Sequence, residues 1–340
     1  MGNCLRQLVV LRGVVAKRRK FELLAASCLV PLSLGLSEPA LAQTFTTAGN
    51  DYINGINVTT SGTVTLDPGV QVFVTPGNNV NRAVAFSTGG GPGSGLPATL
   101  IANNAAVTID TTGNPAGSSL TSALFLHPVL GNATITASGI MNVAGGDNTN
   151  AIWAATFSSV PGAVASVTYT GAAAPGVIDI NTTSVGTNST VIQACANAGC
   201  GFDYTGSGIT PQNGDAIINA TGNLKGVFAG NSGFGLDAVA GGTGTATVNY
   251  HGGTIDVSGP LAVGIFVRGG SAMVTTDPGT TINVSSQFAP QPGVDVNAFS
   301  GPATATVAST IVINGPTRPI SDPTPPESVP RAIRLYQLVL

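Results

Sequence analysis

The chain has 340 residues and a formal net charge of −3, yet only 8% of it is charged and 5% aromatic, against 43% hydrophobic. From Gln43 to Gly315 the only basic residues are Arg82, Lys225 and Arg268, facing eleven aspartates. Three scattered cations cannot build a phosphate-binding surface, which makes nucleic acid and anionic lipid headgroups poor candidate partners, and the recurring Val, Ile, Leu and Ala give the chain surface to bury, leaving a disordered low-complexity chain as the third option after a solenoid and a sandwich.

The first element is a leader over residues 1–42. Arg6, Arg12, Lys17, Arg18, Arg19 and Lys20 form a basic start, and an apolar core runs from Leu23 to Leu36. Ala40-Leu41-Ala42 then supplies a small–x–small site, so cleavage is expected between Ala42 and Gln43. The apolar core is short of the roughly 20 residues that span a bilayer, which argues against a membrane anchor kinked at Pro31. Two other export routes fit less well. A twin-arginine signal at Arg18-Arg19-Lys20-Phe21 meets Glu22 where an apolar residue belongs, and a lipoprotein site at Cys28 has most of the apolar core after it.

After the leader, short segments alternate apolar and polar residues and end in Gly, Asn, Asp, Ser or Pro. They include Thr63–Leu66, Ala106–Ile109, Ala133–Thr136, Ala165–Tyr169, Val177–Ile180, Ala246–Tyr250, Thr254–Val257 and Thr281–Val284. This pattern predicts half-buried strands punctuated by turns. More apolar segments recur between them at Ser122–Leu126, Ala151–Ala155, Val191–Ala194, Gly226–Ala229 and Ala262–Val267. One such unit has too little core to stand alone, whereas stacked units join their inward aliphatic side chains into one column. The fold class expected is all-β, a right-handed parallel β-helix of about 22 residues per rung and roughly 50–60 Å in length. A β-sandwich would need a bulkier core than one Trp and twelve Phe provide. Asn and Thr are expected to form ladders between rungs. The domains are then 1–42 signal peptide, 43–315 β-solenoid and 316–340 tail.

Cys195 and Cys200, in CANAGC, remain after cleavage. In an oxidising compartment they are expected to pair, a loop closure stabilising by about 2 kcal/mol. A metal site would need further ligands, and His127 and His251 are distant in sequence. The last stretch, PTRPISDPTPPESVPRAIRLYQLVL, adds Arg318, Arg331 and Arg334, and its prolines forbid central strands. It is expected to be an unstructured end, or the frameshifted or mis-called terminus of a longer gene.

The leader KRRKFELLAASCLVPLSLGLSEPALA, followed from Thr44 to Gly315 by Gly/Thr/Asn/Val-rich β texture, resembles the passenger region of bacterial autotransporters. The resemblance implies export across the inner membrane, passage through a translocating outer-membrane barrel, and a periplasmic, cell-surface or extracellular location in a Gram-negative bacterium. It implies an adhesin-like or structural role, with host or neighbouring-cell glycans or proteins as partners. The chain departs from the family in having no terminal barrel pattern.

Catalytic chemistry is sought at three places. Gly230-Asn231-Ser232-Gly233 is similar to a serine-hydrolase turn, but a nucleophile there needs His127 or His251 as base. Asp179, Asp203, Asp237 and Asp256 could pair in a sugar-cleaving groove with Trp153, Tyr169, Tyr204 and Tyr250 as platforms, the alternative reading of a polysaccharide-active β-helix. Gly146–Asn150 is the best local calcium loop, without the final bidentate Glu. Aspartate beside turns more often caps backbone amides. Arg268-Gly269-Gly270 reads as a turn. The expectation is therefore no catalytic residue, no cofactor and no metal.

Overall fold

Alternation of side chains along a strand sends every second residue inward, and here the inward positions are Val, Ile, Leu and Ala. A computed structural model describes residues 41–45, 52–53, 55–58, 62–74, 81–87, 97–112, 120–127, 131–156, 161–196, 213–230, 232–288, 291–315 and 331–335. The leader through Ala40, Cys200, Asp203, Tyr204 and Asn231 lie outside the described residues. So does the tail apart from 331–335.

The described residues are all-β without helix and form three sheets. The first contains β1 (Leu41–Phe45), β3 (Gly62–Leu66), β6 (Ala98–Ala102), β9 (Ala133–Ser138), β12 (Ala163–Thr170), β15 (Gly214–Thr221), β18 (Thr245–Tyr250), β21 (Ser271–Thr276) and β24 (Ala303–Val307). The second contains β4 (Gln71–Val74), β7 (Ala106–Asp110), β10 (Met141–Gly145), β13 (Ile180–Ser184), β16 (Leu224–Phe228), β19 (Thr254–Gly259), β22 (Thr281–Ser286) and β25 (Thr310–Asn314). The third contains β2 (Ile56–Val58), β5 (Arg82–Ser87), β8 (Ser122–His127), β11 (Asn150–Thr156), β14 (Ser189–Ala196), β17 (Gly233–Ala240), β20 (Ala262–Gly269), β23 (Val294–Ala298) and β26 (Arg331–Leu335). From β3 onward the chain visits first, second and third sheet in rotation. Each return adds one parallel strand beside the last, until β26 joins β23 antiparallel.

The register stacks like on like. In the first sheet Val64 pairs with Leu100, Leu100 with Ile135 and Ile135 with Val167. In the second, Met141 pairs with Ile180 and Ile180 with Leu224. In the third, Leu124, Ile152, Ile192 and Leu236 align. All these side chains are buried in one continuous core. On the outside, Ser166 donates to Thr134 at 3.3 Å and Asn249 to Asn219 at 2.9 Å, two of the expected ladders between circuits.

Several expectations need correction. The return distance is not 22 residues: it runs from 21, Leu41 to Gly62, up to 51, Ala163 to Gly214, because excursions at the corners differ in length. Val177–Asp179 is not strand; β13 begins at Ile180. Gly226–Ala229 does not belong with the other apolar segments. It falls largely in β16 of the second sheet with Val227 turned outward, and the third-sheet strand of that circuit is β17. Within the third sheet β8 and β11 read as more apolar because both their faces are covered: every residue of each is buried. The tail, expected to be unstructured, supplies β26, where Arg334 sits 3.4 Å from Asp295.

Ile135→Ala leaves a hole in a column with no room to collapse, and is expected to cost about 2–5 kcal/mol. Thr134→Ala, one residue away on the outer face, is expected to cost under about 0.5 kcal/mol. Urea midpoints of the two variants measure the difference.

Candidate functional site

The corners from first to second sheet set the site. Seven of them take two to four residues; the corner between β12 and β13 takes nine, Gly171–Asp179. The short corners stack tightly. A Cβ on Gly139, at φ +104°, would lie 2.2 Å from the carbonyl oxygen of Ala105 in the preceding corner. Two tyrosines tie corners together from inside, Tyr169 donating to the Gly139 carbonyl and Tyr250 to the Gly222 carbonyl, each at 2.7 Å. Burial, and the nearby Asp179 carboxylate, hold both phenols well above the usual range.

The long corner is held from beneath. The buried Asp179 carboxylate accepts from the backbone amides of Ala172 at 2.9 Å, Ala173 at 3.2 Å and Asn223 at 2.7 Å. The Asn223 amide group donates to the carbonyls of Ala174 at 2.8 Å and Val177 at 2.7 Å. Backbone that would otherwise wander is thereby fixed, and the aliphatic side chains of Val177 and Ile178 are left 41% and 44% exposed. Open clefts of about 390 Å³ and 350 Å³ lie on the two sides of this ridge. The larger is bordered by Lys225 and Asp256, opposite charges in register on β16 and β19, and the smaller by Asn104, Ser138 and the exposed Ile140.

The residues singled out for catalysis are not brought together. Asp179 is at this corner, Asp237 on the outer side of the third sheet, and Asp256 on the outer side of the second. Trp153, Tyr169 and Tyr250 are buried and offer no sugar platform. The Ser232 hydroxyl donates to Asn188 at 2.9 Å. His127 stacks on Phe125, and His251 lies 3.2 Å from Asp277. In the calcium-loop candidate, Asp147 accepts from the Thr187 amide at 2.6 Å and its hydroxyl at 3.0 Å, while the Gly146 carbonyl accepts from Thr149 and Ser184. Arg268 lies over the Phe299 ring at 4.7 Å. Cys195 is disulfide-bonded; Cys200, its expected partner, is outside the described residues. Ala42 and Gln43 pair with Thr63 and Val64 within β1.

Sequence reasoning missed the ridge because Val177-Ile178-Asp179-Ile180 alternates like a strand. The available signal was Ala174-Pro175-Gly176 immediately before it, a turn sequence too close to leave room for another strand. It also missed the surroundings of Asp237. That carboxyl accepts from Gln193 Nε2 at 2.7 Å through one oxygen, while Oδ1 has no hydrogen-bond partner among the described residues. Burial pushes its pKa up to about 7, with the Gln193 bond and Arg268 pulling back. His127 is pushed the other way, to about 4, by burial and then by Arg82.

These two groups predict opposite pH slopes. Asp237 titrates above the ~3.9 of an unfolded aspartate, so its contribution is complete below about pH 4 and is lost as pH rises through 7. His127 titrates below the ~6.5 of an unfolded imidazole, so its contribution is complete above about pH 6.5 and is lost as pH falls through 4. Asp237→Asn is therefore expected to melt several degrees above the parent at pH 8 and to lose that advantage at pH 4, read by thermal melts across the range. No family model, curated protein or solved structure matches this chain.

Proposed function

We propose that the region from Gln43 onward is a right-handed parallel β-solenoid acting as a non-catalytic, adhesin-like display scaffold, exported by the leader of residues 1–42. The observation that carries this reading is the rotation of the chain through three sheets in register, with aspartates spent on the main chain between neighbouring circuits. Asp179 accepts from Asn223, Asp147 from Thr187 and Asp215 from Thr245. A carboxylate whose oxygens are taken up by backbone amides of the next circuit holds that circuit in place. A surface built this way gives many weak contacts along one stiff body, which add through effective concentration. The texture is similar to that of autotransporter passengers, and their barrel is the translocation partner this reading requires.

Expression of residues 1–340 in a Gram-negative host tests it. The exported form is expected to begin at Gln43 by N-terminal sequencing, to be recovered outside the cytoplasm, and to release no reducing sugar from polysaccharides. An uncleaved cytoplasmic product would overturn export. Sugar release abolished by Asp256→Asn would overturn the scaffold in favour of the polysaccharide-active alternative.

A further inference from the structure

We propose that the edge of β23 facing away from β20 is a strand-acceptor site whose occupant, β26, passes between copies of this chain, so that Arg331–Leu335 of one copy fills the edge of a second. The structure shows the site filled. Among the described strands β26 alone runs against its neighbour, and it pairs with β23 only. Its contacts are self-contained. The ladder runs from Val294 opposite Leu335 to Ala298 opposite Arg331, and the Gly293 amide donates to the Leu335 carbonyl at 2.9 Å. Ile333 and Leu335 are half-buried against the common core, while Ala332 and Arg334 are exposed. A strand held by its own ladder, two aliphatic side chains and one ion pair makes the same contacts whichever copy supplies it.

Asp295 sets which segment fits. Its carboxylate is buried; Oδ1 accepts from Asn297 Nδ2 at 2.8 Å, and Oδ2 lies 3.4 Å from Arg334 Nε. Arg268, opposite Asn297 in the register, lies over the Phe299 ring instead, so the cation for Asp295 comes from β26. The edge thus reads an antiparallel segment with an arginine between two aliphatic residues. Ile333-Arg334-Leu335 is the one such triplet in the sequence, and a second copy brings another. The connection lets it travel. Sixteen residues, six of them proline, separate Asn314 from Arg331, a covalent reach of up to about 50 Å. Proline-rich connections are in general stiff, which lowers the effective concentration of a strand at its own edge and lets a second copy compete. The proposal does not depend on export or on the scaffold reading.

Complementation between two purified full-length variants tests it by sedimentation velocity. The first, Ile333→Asp with Leu335→Asp, keeps the edge and loses the strand. The second, Asp295→Arg, keeps the strand and repels it from its own edge. Each alone is expected to be monomeric, and an equimolar mixture to form a heterodimer. Adding Arg334→Glu to the second variant restores opposite charges within one chain and is expected to abolish the heterodimer. The parent is expected to shift from monomer towards dimer as its concentration during refolding rises. A mixture that stays monomeric, a heterodimer that survives Arg334→Glu, or a parent monomeric at every concentration overturns the exchange. Self-association of the first variant alone overturns the choice of occupant, since it has no strand to donate. Should Asp295→Arg fail to fold, a labelled peptide of residues Val329–Gln337 replaces it. It is expected to bind the first variant at least about tenfold more tightly than the parent, whose edge is filled. Equal binding to both, or none, overturns the site.

Discussion

In a parallel in-register stack every side chain sits about 4.7–4.9 Å from its counterpart in the next circuit, and that repeat constrains everything else. An inward residue must fit a like neighbour above and below, which is why Leu100, Ile135 and Val167 follow one another in one column. An outward residue must tolerate its own kind. Threonine and asparagine do so by hydrogen bonding, as Asn249 does to Asn219. Like charges do not, and the composition answers by nearly eliminating cations. Where charges meet in register, at Lys225 and Asp256, they are opposite.

The same repeat explains what the aspartates do. A corner leaves backbone amides that no strand satisfies, and a carboxylate in one circuit lies within reach of the amides of the next. Asp147 to Thr187, Asp179 to Asn223 and Asp215 to Thr245 are three instances of one solution. Asp237 is the exception. It sits in mid-strand on the outer side of the third sheet, with Gln193 on one neighbouring strand and Phe266 on the other. A buried carboxyl given one donor for two oxygens favours its proton, so at this strand stability is lost as pH rises from about 4 through 7.

Strands were legible wherever inside and outside differ in polarity. Thr63–Leu66, Ala133–Thr136 and Thr281–Val284 fall inside β3, β9 and β22 for that reason. Legibility failed where that contrast is lost or imitated. In the third sheet much of the outer face is buried too, so β17 is buried at Leu236, Asp237 and Ala238 alike, and the weaker Gly226–Ala229 reads as equivalent. At the ridge, Val177 and Asp179 alternate with Ile178 and Ile180 as in a strand. The turn sequence Ala174-Pro175-Gly176 signals a bend, but only the partners of Asp179, three amides from two separate stretches of chain, show where that corner is anchored. Those are long-range facts that local pattern cannot carry.

The tail shows the limit of arguing from composition. Arg331 and Arg334 stand out after a stretch, Gln43 to Gly315, with only three Lys or Arg, and the preceding prolines suggest an ending alien to the body. Yet β26 pairs along the whole of β23, Ile333 and Leu335 pack against the common core, and Arg334 approaches Asp295, a largely buried carboxylate. An antiparallel strand interrupts the stacking rule that favours like neighbours, so a cation can be placed there without facing another cation. The same reversal covers the edge of β23, where another parallel strand would otherwise find unpaired amides and carbonyls. Charge excluded from the body of the stack by its own periodicity becomes usable where that periodicity stops.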